Sequence, residues 1–281
     1  MPQFIRHFLL AMQFFTRIPV TGRLAQWVGF SPAMLRASAA HFPGVGWVIG
    51  LCVAALSGLL IYLLPPGPLA ATVAAALGTV LSVLLTGAFH EDGLADVADG
   101  LGGSLDRQRA LEIMKDSRVG AFGAIAVVLA LLTKVALLAL LGTFGVTALC
   151  VAVFAAHVVS RTWPLLTIRC LPHVGDAAGS KSKPLADQIS LASLAGACGW
   201  CMAALAAIVV TVPWPWMGLS LWLGVAVALS GGVWWRMTRW FERRLGGFTG
   251  DCLGAIQQVG EIAFYLGLAI SWQWVSPSLV P

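Results

Sequence analysis

Charge is scarce in this sequence. Asp, Glu, Lys and Arg make up 10% of its 281 residues and hydrophobic residues 59%, whereas a soluble globular domain carries about 25% charged residues. Most of the surface therefore cannot face water, which excludes an ordinary soluble domain. Period-2 alternation of apolar and polar residues is also missing, which excludes a transmembrane β-barrel. Apolar runs of about 20 residues, whose backbone must bond internally in hydrocarbon, are helices. No Cys/His cluster with zinc-ligand spacing occurs among the six cysteines and five histidines. "CGWC" at 198–201 has redox-pair spacing but lies in apolar sequence with no strand nearby, and reads as small-residue packing. "FIRHFLLAMQFFTRIPV" at 4–20 is too short between Arg6 and Arg17 to span a bilayer and lacks a small-residue cleavage site. It reads as an interfacial helix rather than a signal peptide.

What remains is a single all-α domain over 1–281, a polytopic transmembrane helical bundle of about seven spans. They are expected near 41–64, 67–89, 119–141, 143–163, 189–211, 216–235 and 255–275, after an amino-terminal segment, 1–40, at the cytoplasmic face. Basic residues set the orientation. Arg6, Arg17, Arg23 and Arg36 precede the first span, and the turn "PPGP" has none. Arg107, Arg109, Lys115 and Arg118 follow, then an uncharged turn near Gly142. Arg161, Arg169, Lys181 and Lys183 come next, then uncharged "VPWPW". Arg236, Arg239, Arg243 and Arg244 precede the last span, and the tail "SPSLVP" has no charge; only Lys134 falls outside the pattern. Positive charge stays inside, so the amino terminus is expected in the cytoplasm and the carboxyl terminus outside. All twelve acidic residues are assigned to the same inner face, which puts any chemistry there. Orientation and anionic lipid account for the net charge of +5, so the expected partner is the bilayer and no nucleic acid. Trp214, Trp216, Trp272 and Trp274 fit an outer aromatic belt, and Trp234, Trp235 and Trp240 an inner one.

Seven of the twelve acids fall within 91–116, most of them in "HEDGLADVADG" at 90–100. On a helix Asp92, Asp96 and Asp99 sit at about 0°, 40° and −20°, with Glu91 about 100° away and His90 nearly opposite. Three carboxylates on one narrow face repel each other, more so beside a membrane, unless a cation joins them. That cation is either a basic side chain or Mg²⁺, which takes hard oxygen ligands and often joins carboxylates to substrate phosphates. A solvated loop of paired acids and bases is the plain alternative. Gly100, Gly102 and Gly103 are expected to end this helix, and Ser104 to start a second through "LDRQRALEIMKDSR". The hairpin, 90–118, then has acids on one arm and bases on the other, which suits a diphosphate held between metal and guanidinium.

"FFTRIPV" at 14–20, "HFPGVGWVIG" at 41–50, the acidic motif, "EIMKDSRVGAFGAIAVVL" at 112–129 and "GFTGDCLGA" at 247–255 together resemble the cobalamin synthase family, the adenosylcobinamide-GDP ribazoletransferases. The match runs in order over nearly the whole chain; Cys252 stands where a small hydroxyl residue is expected. The resemblance implies a Mg²⁺-dependent phosphotransferase of the bacterial inner membrane with its active site on the cytoplasmic side. It would join α-ribazole or its 5′-phosphate to adenosylcobinamide-GDP and release GMP, the last assembly step of the cobalamin nucleotide loop. Asp92 and Asp96 are assigned to the metal, with Glu91 beside them. Asp99 is a further ligand or the base for the attacking hydroxyl, and His90 is the competing base. Lys115, Asp116 and Arg118 are the phosphate-side candidates. Asp251 and Arg17, in matching motifs, are expected at substrate, against helix packing and an interfacial anchor as their plain readings. Glu261 is a further substrate candidate, against a cap or ion pair. His41 and the loop with Lys181, Lys183 and Pro184 carry weaker signals, a span cap and a connector. A homo-oligomer is allowed but not implied. A CDP-alcohol phosphotransferase would show an Ala-Arg pair after its first aspartates, and a secondary transporter would place its acids near the midplane in paired repeats. Neither pattern is present.

Overall fold

The computed structural model describes residues 2–175 and 189–279. Lys181, Lys183 and Pro184, with the acids Asp176 and Asp187, lie outside the described residues. The chain is all-α, and among the described residues the only strand-like feature is a lone bridge between His173 and Phe248. Three short helices, α1 (Pro2–Phe15), α2 (Gly22–Val28) and α3 (Pro32–Ser38), lead through a 3₁₀ turn into α4 (Phe42–Leu63). Then come α5 (Pro68–Thr86), α6 (Phe89–Gly103), α7 (Arg107–Ile113), α8 (Ala121–Thr143), α9 (Val146–Val159) and α10 (Trp163–Cys170). Beyond residue 190 follow α11 (Leu191–Thr211), α12 (Trp216–Leu245) and α13 (Gly250–Leu279).

Among the described residues seven helical segments are long and apolar enough to cross a membrane: Pro32–Leu63, Leu69–Thr86, Ala121–Thr143, Val146–Cys170, Leu191–Thr211, Trp216–Leu245 and Gly250–Val275. This is a multi-pass membrane protein, with the number of spans expected from hydropathy. Their boundaries differ in three places. The second span stops at Thr86. Gly87 (φ 66°) and Ala88 (φ 59°) are left-handed, and their N–H groups return to the Leu84 and Val83 carbonyls. This Schellman closure ends α5 and starts α6 as a separate element. The fourth span is broken by the turn Ser160–Thr162, and α12 continues to Leu245, carrying Arg236, Arg239, Arg243 and Arg244 on helix rather than loop.

α4 packs on α9, α5 on α8 and α12 on α13, while α6 lies against both α8 and α13. α9 is buried almost all round, with Ala148, Ala152, Ala155, Ala156 and Val158 inaccessible; α8 and α11 turn most of their apolar surface outward. Three expectations are corrected here. Arg161 is fully buried beside His157 rather than lying in a loop, so it cannot count toward orientation. Cys198 is exposed and Cys201 half-buried, so "CGWC" does not pack as a small-residue seam; both are free thiols. His41 does not cap α4; its Nδ1 accepts from Trp200 Nε1 at 3.2 Å. Trp214 and Trp272 join buried Trp222 in one aromatic cluster, while Trp216 and Trp274 face outward.

Candidate active site

The acidic helix α6 owes its position to two glycines. A Cβ on Gly93 would stand 2.8 Å from the Asp251 carbonyl oxygen, and one on Gly254 would stand 3.3 Å from that of His90. Without side chains at these points the backbones of α6 and α13 meet directly. The contact sets Asp251, in the first turn of α13, opposite Asp92 and Asp96. Thr249 starts that helix: its Oγ1 accepts from Cys252 N–H at 3.4 Å and donates to Asp251 Oδ2 at 3.4 Å. Cys252 is buried in the cap, so its departure from the expected hydroxyl residue leaves Asp251 in place.

Along α6 Asp92 is exposed, Asp96 half-buried and Asp99 buried. Burial, then the negative charges of Asp251, Asp92 and Asp99, push the Asp96 carboxyl from its ordinary 3.8 up to about 7. Among the described residues no basic side chain forms an ion pair with Asp92, Asp96 or Asp251. Among the described residues no ion pair relieves the crowding.

Asp99 belongs elsewhere. Its two carboxylate oxygens accept from Gly120 N–H at 2.7 Å and Gly123 N–H at 2.8 Å, which caps the first turn of α8. A side chain on either glycine would run into the carboxylate, so "VGAFG" is shaped to admit it. Where a third metal ligand or base was expected, the structure shows a cap: each oxygen accepts one backbone N–H, buried at Gly123 and partly buried at Gly120. Glu91 is also corrected. It is buried, and its Oε1 accepts from Gln258 Nε2 at 2.9 Å, away from the aspartates. His90 is 1% exposed and stacked on Phe42, and burial, then Arg161, hold its imidazole well below the usual histidine range. It faces the bundle interior, as the helical spacing implies, so it is not the base.

Glu261 does not reach a substrate pocket. It pairs with Lys134 Nζ at 2.6 Å and accepts from Gln257 Nε2 at 2.7 Å and Tyr265 OH at 2.9 Å, all buried. This supplies the partner that hydropathy left unassigned for Lys134. Arg118 and Asp116 bond each other at the surface (2.6 Å), which holds the Asp116 carboxyl down to about 2. Lys115 is exposed in the turn after α7. That helix starts at Asp106, whose side chain accepts from Arg109 N–H, not at Ser104, and it ends at Ile113. Arg244 Nη2 donates to the Ser104 carbonyl at 2.5 Å and Arg107 Nε to that of Leu245 at 2.6 Å. The hairpin and α12 thus cap each other's ends.

Arg17 does come to the acids. Its backbone N–H donates to the Leu85 carbonyl at 2.7 Å, and it lines one open cavity together with Gln13, Thr16, Thr86, Ala88 and Asp92. Ala88, left-handed without being glycine, is held in that strained conformation in this wall. The pocket thus has a guanidinium on one side and the outermost aspartate on the other. Spacing along the chain missed Gln258 and Gln257, which tie α6 and α9 to α13; only uncommon polar residues in an apolar run signal them.

Among the described residues no three His, Cys, Asp or Glu side chains are placed to hold a metal by themselves. Mg²⁺ normally takes one or two carboxylates and completes its shell with waters and phosphate oxygens. Two or three crowded, unpaired carboxylates beside an arginine-lined cavity fit that shared mode, and not a closed protein cage.

Fold and site define a polytopic membrane protein with an acidic, arginine-flanked pocket at one end of its bundle. A family model described as cobalamin-5-phosphate synthase matches residues 7–269. The chain belongs to the cobalamin-5-phosphate synthase family. It is 67% identical over 278 residues to an adenosylcobinamide-GDP ribazoletransferase of Albidiferax ferrireducens, covering 96% of this chain and 99% of that protein. A protein of the same name from Polaromonas naphthalenivorans is 61% identical, covering 96% and 100%. One from Vibrio cholerae is 41% identical, covering 92% and 91%. No solved structure matches.

Proposed function

We propose that this chain is an adenosylcobinamide-GDP ribazoletransferase, joining α-ribazole or its 5′-phosphate to adenosylcobinamide-GDP and releasing GMP, the last assembly step of cobalamin. The family and its named relatives carry the activity. The crowded carboxylates of Asp92, Asp96 and Asp251, with Asp92 lining one cavity together with Arg17, support its placement at this pocket.

In this reading a ribose oxygen of the acceptor bonds to the phosphorus next to the cobinamide, the bond to GMP breaks, and the hydroxyl proton leaves to a carboxylate or solvent. Charge spreads over the phosphoryl oxygens, so positioning and electrostatics do most of the work. Arg17 neutralises non-bridging oxygens and orients the diphosphate. Asp92 and Asp96, with Asp251 across from them, would hold Mg²⁺; the ion would supply Lewis-acid polarisation and leaving-group stabilisation. Asp96, whose carboxyl burial and neighbouring acids raise toward neutral pH, is the candidate acceptor for the hydroxyl proton. Alternating basic loops support an inner-membrane location with this pocket on the cytoplasmic side, even with Arg161 removed from the count. The deciding experiment follows GMP release by detergent-solubilised protein against Mg²⁺ concentration. Release that requires both the acceptor and the metal is expected; metal-independent release, or CMP release from a CDP-alcohol, would overturn the reading.

A further inference from the structure

Two helices bring the crowded carboxylates together, and the contact between them is smooth. α6 has Gly93 at the crossing and α13 has Gly254. A Cβ on Gly254 would stand 3.3 Å from the His90 carbonyl oxygen and 3.4 Å from the Gly93 Cα. Glycine against glycine allows close approach but offers no side chain that interlocks. It therefore sets the distance between the helices and leaves sliding and rotation free. A slide by one residue is about 1.5 Å, whereas a ligand constellation tolerates about 0.5 Å. The register needs a separate determinant.

A buried hydrogen bond crosses the same interface. Gln258 Nε2 donates to Glu91 Oε1 at 2.9 Å, and the two residues are only 3% and 6% exposed. Glu91 immediately precedes Asp92 in the chain. Gln258 lies about two turns beyond Asp251, on the same face of α13. The bond thus ties the residue beside the outermost aspartate to the helix face that carries the acid opposite. A buried carboxylate and amide are a costly way to join two helices, since well-packed apolar residues hold them as well or better. What a lone buried polar contact does supply in helical pairs is register, at some expense in stability.

We propose that Glu91 and Gln258 are positioning residues: their hydrogen bond pins α6 against α13 and so sets the separation of Asp92 and Asp96 from Asp251 on which divalent-cation binding depends. The inference rests on the reading of these carboxylates as a metal site and adds what holds them in register. It gives Glu91 a part in metal binding without contact with the ion.

The test titrates Mn²⁺, which takes the same oxygen ligands as Mg²⁺, into the full-length protein in detergent and reads the free ion by electron paramagnetic resonance, without turnover. Glu91→Leu combined with Gln258→Leu removes the pin and leaves neither group unpaired. This variant should keep a cooperative thermal transition in EDTA, while its Mn²⁺ affinity falls about tenfold or more. In turnover its kcat should fall about tenfold or more, with the acceptor KM within about twofold of wild type. Exchanging the partners, Glu91→Gln with Gln258→Glu, keeps one donor and one acceptor across the interface and should restore Mn²⁺ affinity to within about threefold of wild type. Where the leucine pair does not fold, Gln258→Asn, which keeps the amide but shortens its reach, should show the loss instead. Unchanged Mn²⁺ affinity in the folded leucine pair, or in Gln258→Asn, would overturn the proposal. An exchanged variant that binds no better than the leucine pair would do the same, because Glu91 would then act through its own charge. Wild type that binds no Mn²⁺ would overturn the metal reading beneath, and the proposal with it.

Discussion

Replacing Asp96 with Asn removes one negative charge from a half-buried cluster and leaves the shape of the side chain almost unchanged. The carboxyl is raised from 3.8 to about 7, so the folded protein keeps a proton that the unfolded chain releases between those values. Stability from this group is therefore present at low pH and declines as pH rises through that window, reaching its minimum above 7. The rise corresponds nominally to about 4 kcal/mol; the side chain is half-exposed, and solvent screening reduces this to about 1–2 kcal/mol. Asp96→Asn should accordingly raise the thermal midpoint by on the order of 2–6 °C at pH 8 in EDTA and change it little at pH 4.5. Turnover should be lost throughout. Added Mg²⁺ should stabilise the wild type by mass action, about 1.4 kcal/mol at tenfold excess over the dissociation constant, and the variant less. Thermal unfolding at the two pH values, with and without Mg²⁺, reads all of this. A midpoint that falls equally at both pH values would show a paired rather than crowded carboxylate, and the argument for a cation-seeking cluster would be wrong.

Arg17→Ala should raise the KM for the nucleotide-linked substrate at least about tenfold, the worth of a charge-assisted contact, while Arg118→Ala, whose partner is the exposed Asp116, should stay within about twofold. Steady-state kinetics on the two variants separates them. Asp99→Ala leaves the buried Gly123 N–H and the partly buried Gly120 N–H at the start of α8 unpaired and should cost about 1–3 kcal/mol in denaturant unfolding; no loss would remove its capping role. Lys134→Met or Glu261→Met alone should each cost about 3–5 kcal/mol, and the two together should recover most of it. A double-mutant cycle on thermal stability measures the coupling.

The number of spans was legible because burial in lipid leaves its mark on every consecutive residue. Two limits appeared within that success. Hydropathy counted Arg161 as a loop charge, although His157 and Phe42 enclose it. It also ran α5 into α6, since the break at Gly87–Ala88 is a change of backbone sign and not of polarity. Within the acidic motif, helical spacing correctly turned His90 away from the aspartates. It could not separate Asp99 from Asp92 and Asp96, because all three share a face and only the arrival of Gly120 and Gly123 sets Asp99 apart.

By itself the sequence determined that this is a helical membrane protein and that its acids gather in one motif. Those properties depend on composition and on neighbours within a few turns. The tertiary structure alone decided that Asp251 joins Asp92 and Asp96 while Asp99 caps α8, that Arg17 shares a cavity with Asp92, and that Glu261 answers Lys134. Each of these depends on which helices touch, and glycine contacts such as Gly93 against Asp251 set that by close approach, a property invisible in the chain's linear order.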